Sequence, residues 1–443
     1  MLGRAGLVGI GLGTMLGGIF ATVGVGTATA GPGVILSFLL SALACVFVAL
    51  CYAELAAMVP VAGSAYTYAY ATLGEVVAWI IGWDLILEYG ISVAPTAASW
   101  SGYLQSLLSG AGIAMPVWGQ TAHLAFANGR FDPAHSQIDV IAALAVLAIT
   151  ALLAIGIRES AGANSVLVVA QVVAIVAFVL GCAAAVHPAR FHPFLPTGFG
   201  GVNAAAALVF FAYIGFDTVT VASEEAKNPI RDVPFGIIVS LAIGALLYCA
   251  IAVVTVGIVP WQTIDHDAGM SDVVKHVGNP PFLTIAVAVG ALAGNATVMI
   301  TSMLGQIRIF YVMSRDRLLP ARISAVNHKT RTPVFTTIVM GAIIAILAAT
   351  LSLDVLLRLV NIGTLSAFAI VCLGVLVMRF TKPGANRPFR APAGPLVAFL
   401  GLGLCVLLMC GLELSTWVRF FGWMIAGLLV YGFYGYRRSL LRQ

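Results

Sequence analysis

The sequence predicts an all-helical integral membrane protein with about twelve transmembrane helices. Three observations predict this class: hydrophobic residues make up 61% of the 443 residues, charged residues make up only 9%, and the mean hydropathy is +1.04. A soluble domain needs more polar surface than this composition supplies. Short segments of alternating hydrophobicity, which are typical of an outer-membrane barrel, do not occur in the sequence, so we expect helices.

Runs of about 20 apolar residues, the length that crosses a bilayer, divide the chain into twelve predicted spans, numbered here in chain order. They lie near 4–26, 34–58, 76–106, 138–156, 163–186, 201–223, 235–259, 281–305, 333–353, 355–378, 391–412 and 415–436. The first run is too long for the apolar region of a cleavable signal peptide, so we expect it to remain in the protein as span 1.

The distribution of Lys and Arg predicts the orientation of the spans. With a cytoplasmic N-terminus, 17 of the 22 basic residues lie on the cytoplasmic side. The five others are Arg130, Arg190, Lys275, Arg358 and Arg419. This asymmetry follows the positive-inside rule, so we expect both termini in the cytoplasm. The formal net charge of +5 then reflects topology and contact with anionic lipid, and we expect no nucleic-acid partner.

Cysteine, histidine and motif usage exclude several other classes of protein. All seven cysteines lie in predicted spans without a CxxC pair, and all seven histidines lie in predicted loops without a carboxylate or thiol at ligand spacing. We therefore expect neither a disulfide framework nor a metal site. The chain has no HExxH, GxxxxGK[ST] or GxSxG motif, so we expect a protein that is not an enzyme and has no catalytic residues.

Two of the predicted spans contain features that interrupt a helix. Residues 11–24, GLGTMLGGIFATVG, include five glycines in span 1, and residues 210–217, FFAYIGFD, place a glycine and an aspartate in span 6. Each interior glycine costs a helix about 1 kcal/mol relative to alanine. Interrupted helices in both halves of a chain indicate a transporter with inverted repeats, whose substrate lies where the repeats meet.

Broken helices expose backbone groups that can bind a substrate. Half-helix N–H groups bind a carboxylate, and freed carbonyl groups bind an ammonium. The expected binding residues are Thr14, Met15, Gly17, Gly18 and Ile19 of span 1, Phe211, Ala212, Ile214 and Gly215 of span 6, and Met303 of span 8. The alternative is that the glycines serve helix packing, since Gly9, Gly13 and Gly17 form a ridge of small residues. Both roles can hold together.

Four long segments carry a resemblance to a known family. They are CYAELAAMVPVAGSAYTYAYATLGE (51–75), GWDLILEYG (82–90), FFAYIGFD with EEAKNPIRDVP (224–234), and GQIRIFYVMSRDRLLP (305–320). In these segments, and over nearly its whole length, the chain resembles the amino acid permeases of the APC superfamily, close to their bacterial cationic amino acid transporter branch.

The resemblance implies a leucine-transporter-like fold and alternating access. A core over 1–378 would contain inverted repeats at about 1–186 and 201–378, and 379–443 would add two accessory spans and a short cytoplasmic tail. The resemblance also implies an amino acid substrate, no bound cofactor and a bacterial inner or plasma membrane location.

The sequence departs from the family pattern at two places. Leu16-Gly17-Gly18-Ile19-Phe20 stands where the family usually has glycine, a small residue, glycine and Ile-Phe, which leaves the details of the carboxylate site open. In span 5, Gln171 stands where bacterial relatives often carry a lysine, which leaves the coupling ion open.

Four carboxylates lie in or against predicted spans, where a charge is costly and indicates function by default. Asp84 and Glu88 are four residues apart on one face of span 3. We expect Glu88 to attract the cationic end of arginine, lysine or ornithine; the alternative is a protonated, hydrogen-bonded glutamate between helices. Asp217 is expected to cap the second half of span 6. Glu54, near the end of span 2, is expected to be structural.

Coupling and gating residues are expected among these groups and the cytoplasmic loops. The candidates are Gln171, Asp84, Asp217, Glu54, Arg231 and Arg315. The two arginines lie in loops of mixed charge, where they either pair with an acidic residue when the cytoplasmic side closes or are simply solvated. Tyr66, Tyr68 and Tyr70 are interpreted as anchors at the membrane interface.

The sequence thus predicts a permease for cationic or small neutral amino acids, with membrane lipid as its surroundings and protons as a candidate coupling ion. Three alternatives stay open. The first is an exchanger or facilitator without proton coupling, and the second is a non-transporting membrane sensor of the same fold. The third, an intramembrane enzyme, is disfavoured because the sequence has no catalytic pair.

Overall fold

The structure is a computed structural model, and nearly all of it is helical. It describes residues 3–58, 66, 69–70, 74–113, 115–116, 119, 122, 126–127, 130–131, 136–156, 161–221, 226–327, 330 and 332–438. Within these residues the strands are one antiparallel pair, Phe126–Ala127 with Arg130–Phe131.

Most predicted spans correspond to a single helix, and spans 1, 3, 6 and 12 are made of consecutive pieces. The spans are, in order, Arg4–Met15 with Gly18–Ala30; Val34–Met58; Glu75–Leu85, Ile86–Ile91 and Val93–Gly110; Val140–Ile155; Ala161–Cys182; Gly198–Val209, Phe210–Tyr213 and Thr218–Val221; Pro229–Ile258; Pro281–Arg315; Val334–Thr350; Leu353–Thr381; Pro395–Cys410; and Leu414–Val430, Tyr431–Gly435 and Tyr436–Arg438. A separate helix, Gly269–His276, lies between spans 7 and 8.

Helix length and composition support twelve crossings within the described residues. Seven segments are long and apolar enough to cross a membrane, and four shorter apolar helices accompany them. One of the seven, Gly18–Met58, is 41 residues long. At 1.5 Å per residue it would measure about 60 Å, twice the hydrocarbon thickness. It reverses at Gly31–Gly33, where Gly31 adopts a φ of +59°, and so belongs to two spans.

Contacts between spans follow the symmetry of an inverted repeat. Span 1 packs on span 7, and span 6, its counterpart, packs on span 2. Likewise span 5 packs on span 8, and span 10 packs on span 3. Exchanging each span with the one five places later therefore reproduces the pairings, as a five-plus-five repeat requires. Twelve crossings place both termini on one side of the membrane, here called the terminal face; the other side is the opposite face.

Some details differ from the sequence predictions. Span 8 was predicted to end at 305, but its helix continues to Arg315, because residues 306–315 contain no glycine or proline to end it and bury Ile307, Phe310 and Met313. His276 lies between spans 7 and 8, where the sequence predicts a loop, but this connection contains the short helix Gly269–His276. Tyr66 is 2% exposed, and its hydroxyl donates at 2.9 Å to Asp316, which directly follows span 8, so Tyr66 is a buried contact and not an interfacial anchor. Tyr68 lies outside the described residues.

Candidate functional site

The break in span 6 is wide and lies where FFAYIGFD predicts it. The first helix ends at Val209, a tight 3-10 turn follows over Phe210–Tyr213, and Ile214 is extended. Gly215 then adopts a φ of +108°, a conformation that favours glycine. The chain resumes as a helix at Thr218. The glycine therefore has a conformational reason, since a side chain here would strain the backbone.

The break in span 1 is narrower than its glycine content predicts. The first helix ends at Met15 and the second begins at Gly18, and both intervening residues keep right-handed helical angles. What the glycines provide is close approach. A Cβ on Gly17 would lie 2.6 Å from the carbonyl oxygen of Gly294 in span 8, and a Cβ on Gly18 would lie 2.8 Å from the Cα of Ala212. The packing interpretation thus accounts for much of the composition.

Tyr248 of span 7 connects the two breaks. Its hydroxyl lies 2.9 Å from the carbonyl oxygen of Met15 and 2.9 Å from that of Ala212, so it can donate to either one. Both carbonyls belong to residues at helix interruptions, where intrahelical partners are lost. Sequence analysis missed this residue, because a tyrosine in an apolar span gives no signal of which carbonyls it will meet.

Thr14 makes a second connection between the breaks. Its hydroxyl lies 2.9 Å from the carbonyl oxygen of Gly215 and 3.2 Å from the hydroxyl of Thr218. A Cβ on Gly215 would stand 2.9 Å from the Cβ of Thr14, so the glycine also lets the two spans meet. The broken segments of both halves are therefore in direct contact, as the sequence predicts.

A small cavity lies where the breaks meet. Its volume is about 30 Å³, room for about two water molecules. The lining residues are Thr14 and Gly18 of span 1, Glu88, Tyr89 and Ser92 of span 3, Phe211, Ile214, Gly215 and Thr218 of span 6, and Val298, Thr301 and Ser302 of span 8. Six of these were expected from sequence. An amino acid needs more space, so binding requires the walls to separate.

Other expected binding residues lie beside the cavity and do not line it. Met15 and Ala212 present carbonyls to Tyr248, while Gly17 and Ile19 are buried against neighbouring spans. Met303 lies on another side of span 8, where its Sδ is 3.9 Å from the hydroxyl of Thr150. Thr301 and Ser302 of span 8 line the cavity, and Met303 does not.

Glu88 is a buried carboxylate on the cavity wall. It is 1% exposed, and within the described residues neither carboxylate oxygen has a hydrogen-bond partner. It sits in a π-helical turn, Ile86–Ile91, a feature that is frequent at functional sites. A buried charged group normally requires a partner. The unpartnered carboxyl facing a cavity therefore suits a hydrogen-bonding or cationic ligand.

Asp84 and Asp217 have protein partners. Ser366 of span 10 donates to Asp84 at 2.8 Å, and Tyr89 donates to Asp217 at 2.7 Å. Asp217 directly precedes the second helix of span 6, the position from which a side chain caps a helix. The Tyr89 bond ties this second helix to span 3, so it must be stretched or broken when span 6 moves relative to span 3.

An apolar cluster closes the cavity on the opposite face, and we call it the apolar seal. It is contributed by spans 1, 3, 6 and 10. Its residues are Ala21, Val25, Ala98, Leu208, Phe211, Leu353, Leu357 and Val360. All are nine-tenths or more buried. On the side of the terminal face, Thr14, Thr218 and Ser302 are half-buried. The structure is thus closed on one side of the cavity and looser on the other.

Gln171 lies beside the span 1 break. It is fully buried, and within the described residues its amide oxygen and nitrogen have no hydrogen-bond partner. A Cβ on Gly294 would lie 3.3 Å from both the Gln171 side chain and the Cα of Gly17, which places these three groups together. The expected proximity to the break is present, but the amide makes no direct hydrogen bond to the carbonyls there.

Glu54 is enclosed by two arginines at the terminal end of span 2. Arg379 of span 10 makes a two-pronged ion pair with it, and Arg387 lies 3.3 Å away. The backbone N–H of Ala391 also donates to Glu54, at 2.9 Å. These contacts attach the segment that links spans 10 and 11 to the end of span 2. This arrangement suits the structural role expected of Glu54.

The expected arginine gate takes a different form in this structure. Arg315 is 65% exposed and lies 3.6 Å from its neighbour Asp316, and Arg231 is exposed. Besides the pairs around Glu54, an ion pair at this face joins Arg4 of span 1 to Asp232 of span 7, at 2.9 Å. Sequence analysis missed this pair because the two residues are 228 positions apart.

Removing the Tyr248 hydroxyl should impair transport more than it impairs folding. For Tyr248→Phe we expect a loss of stability of about 1 kcal/mol, the typical value of one hydrogen bond, and at least a severalfold fall in transport because both breaks lose a shared donor. Tyr213→Phe is the matched control, since Tyr213 donates to the single carbonyl of Phe38 at 3.0 Å. Thermal unfolding and uptake should be measured for both. Equal losses of transport in the two variants would contradict the connecting role.

Comparison with known proteins agrees with this architecture. The chain is 43% identical to the branched-chain amino acid permease BcaP of Bacillus subtilis, over 100% of the chain and 94% of that protein. It is 40% identical to the methylthioribose transporter of the same species, over 98% and 93% of the two chains. It is 37% identical to the vacuolar cationic amino acid transporter 4 of Arabidopsis thaliana, over 85% of this chain and 63% of the relative.

A sequence model described as amino acid permease matches residues 2–431. The match covers spans 1 to 11, both helix breaks and span 12 as far as Tyr431. The chain is therefore a membrane transporter of the amino acid permease family, and not an enzyme.

Proposed function

We propose that this permease carries its substrate by alternating access of the cavity between spans 1, 3, 6 and 8. The observation that carries the proposal is the meeting of the two helix breaks, where Thr14 contacts Gly215 and Gly18 packs on Ala212. Freed backbone groups on both sides of this contact would hold the substrate carboxylate and ammonium. The cavity would open to the opposite face when the apolar seal separates. It would open to the terminal face when the Tyr89–Asp217 contact is broken.

The proposed substrates are small neutral, branched-chain and cationic amino acids. Phe211, Ile214 and Val298 offer apolar contact for an aliphatic side chain, and Glu88 offers a carboxylate for a cationic one. The relatives support both classes by their names, which mention branched-chain and cationic amino acids. The test is uptake of a panel of labelled amino acids into proteoliposomes, with methylthioribose as a competitor. Failure of every amino acid to enter or exchange would favour the sensor alternative.

The proposed location is a bacterial plasma membrane with the terminal face in the cytoplasm. The asymmetry of Lys and Arg supports this orientation. The proposed organisation is a core over 1–378, in which the repeats at about 1–186 and 201–378 move relative to each other, and two accessory spans over 379–443.

Coupling to protons is proposed to be weaker than in relatives with a lysine in place of Gln171, because an amide cannot titrate. Any proton would have to be carried by Glu88, Asp84 or Glu54; otherwise the protein exchanges substrates or facilitates their diffusion. Glu88 is the best placed of the three, since it alone lines the cavity.

The coupling proposal predicts the proton flux of two proteins. Substrate-evoked proton flux in proteoliposomes should be weak for the native chain and should rise for Gln171→Lys, since a buried ammonium can release a proton as the cavity opens. Thermal unfolding checks that both proteins are folded. Strong flux in the native chain that survives neutralising each of the three carboxylates in turn would refute the proposal.

A further inference from the structure

The loop between spans 7 and 8 covers the apolar seal, and we call residues 260–276 the lid. A Cβ on Gly24 of span 1 would collide with the carbonyl oxygens of Asp265 and His266. A Cβ on Gly102 of span 3 would lie 2.7 Å from the Cβ of Asp267. The lid backbone is therefore seated directly on spans 1 and 3.

A third contact joins the lid to span 10. His266 Nδ1 lies 3.6 Å from Asp354 Oδ2, and Asp354 follows the seal residue Leu353. The other two lid contacts are also close to seal residues: Gly24 directly precedes Val25, and Gly102 lies one helical turn after Ala98. The lid thus contacts three of the four spans that form the apolar seal. Separating those spans requires the lid to lift or to lose the histidine contact.

Several titratable groups face His266 and the adjacent Asp267. Asp265 accepts the backbone N–H groups of Asp267 at 2.9 Å and Ala268 at 3.0 Å. Asp272 accepts the N–H of Asp265, and Asp139 caps span 4 next to this region. Further charged or phenolic groups lie on the ends of these elements next to the lid or on the lid itself. They are Arg358, which pairs with Glu413, Tyr103, which lies 3.3 Å from the N–H of Met270, and Lys275 and His276 at the end of the lid.

We propose that His266 and Asp267 make the lid a pH-dependent latch, which holds the opposite face closed when that side is acidic. Protonated His266 forms an ion pair with Asp354 that joins the lid to span 10. Protonated Asp267 no longer repels the carboxylates of Asp265, Asp139 and Asp354. At higher pH the ion pair is lost and the repulsion returns, so that the lid loosens and the seal opens more often.

The pKa values of the two groups agree with this geometry. The contact with Asp354 raises the pKa of His266 above its ordinary value. Burial, and then the carboxylates of Asp265, Asp139 and Asp354, raise the pKa of Asp267 to about 7, against a smaller lowering by the charge of His266. Both raised values mean that seating the lid favours bound protons, so the closed form is stabilised at low pH and loses that stabilisation as the pH rises through neutrality. The two groups act in the same direction.

The test follows the opening of the seal without using transport. Cys410, which is exposed, and Cys249, which is half-buried, are replaced by alanine, and Leu357→Cys places a thiol in the seal. A membrane-impermeant maleimide is added at pH 6 and at pH 8, and the rate at which it labels the Leu357→Cys thiol is measured. At each pH this labelling rate is divided by that of the same protein with the additional change His266→Gln. Because the maleimide reacts with the same thiol in both proteins, the intrinsic pH dependence of labelling cancels.

We expect His266→Gln to be labelled about two- to fivefold faster than the parent at pH 6, a factor that corresponds to the typical energy of a partly exposed ion pair. At pH 8 the two proteins should be labelled at the same rate. Asp354→Asn should also be labelled faster than the parent at pH 6, because the ion pair is lost. At pH 8, both Asp354→Asn and Asp267→Asn should be labelled more slowly than the parent, because each removes one of the repelling carboxylates. His276→Gln is the matched control, because His276 pairs with Asp272 inside one helix. The latch would be overturned if the ratio of the two labelling rates were the same at pH 6 and pH 8, or if His276→Gln changed the labelling rate in the same way as His266→Gln. Neither outcome affects the proposed transport activity.

Discussion

Gly18→Leu should reduce amino acid uptake at least tenfold, because the new side chain has no space at the meeting point of the breaks. Even its Cβ would lie 2.8 Å from the Cα of Ala212 and 3.1 Å from the carbonyl oxygen of Phe211. These are backbone atoms, which cannot turn aside as a flexible side chain could. Separating them by the width of a leucine would also displace the freed backbone groups that are proposed to hold the substrate. A loss of 1.4 kcal/mol in binding already corresponds to a tenfold effect.

Gly9→Leu is the matched control for this prediction. Gly9 lies in the same span, but nothing lies within 4 Å of a Cβ placed there. Both variants lose a glycine from span 1 and gain the same side chain, so a general effect on insertion or helix stability would appear in both. We expect Gly9→Leu to transport nearly as well as the native protein. Uptake by Gly18→Leu at the native level would show that the span 1 break does not form the site.

Glu88→Gln should shift the preference of the permease from cationic towards neutral substrates. The carboxyl group has no protein partner within the described residues and faces the cavity, so a cationic side chain would be its natural partner. Truncating one member of a buried charge pair costs about 2–5 kcal/mol. The ratio of arginine to leucine uptake should therefore fall by at least tenfold, since 1.4 kcal/mol corresponds to a factor of ten.

Glu75→Gln is the control for the glutamate prediction. Glu75 begins the same span and accepts a hydrogen bond from Tyr431 at 2.7 Å, outside the cavity. It should leave the ratio of arginine to leucine uptake unchanged. If Glu88→Gln also leaves that ratio unchanged, Glu88 belongs with the structural carboxylates, and the preference for cationic substrates lies elsewhere.

Sequence reasoning predicted the features of this molecule that are local. The twelve spans follow from runs of apolar residues, and the span 6 break follows from Gly215 and Asp217 within an apolar run; in the structure Gly215 adopts a φ of +108°. The narrowness of the span 1 break was not predicted, because glycine composition alone does not separate unwinding from close packing. The structure favours close packing over unwinding here, since Gly17 packs against the backbone of span 8 and Gly18 against that of span 6.

Contacts between distant spans were not predictable in the same way. Tyr248 can donate to the carbonyls of two residues, one in span 1 and one in span 6, and His266 lies near Asp354 of span 10. The partners in each of these contacts are far apart in the sequence. Met303 shows that the orientation of a long helix must also be known. Thr301 and Ser302 lie three and four residues after Val298 and share its face, while Met303 lies five residues after it and is turned by about 140°.

Protection of a thiol by substrate tests most directly whether amino acids bind where the two breaks meet. Thr301→Cys places a thiol on the cavity wall in a background in which Cys249 and Cys410 are alanine, and Thr284→Cys, outside the cavity, serves as the control. Saturating leucine or arginine should slow maleimide labelling of Thr301→Cys severalfold and leave Thr284→Cys unchanged. Equal labelling of Thr301→Cys with and without a transported amino acid would contradict the account.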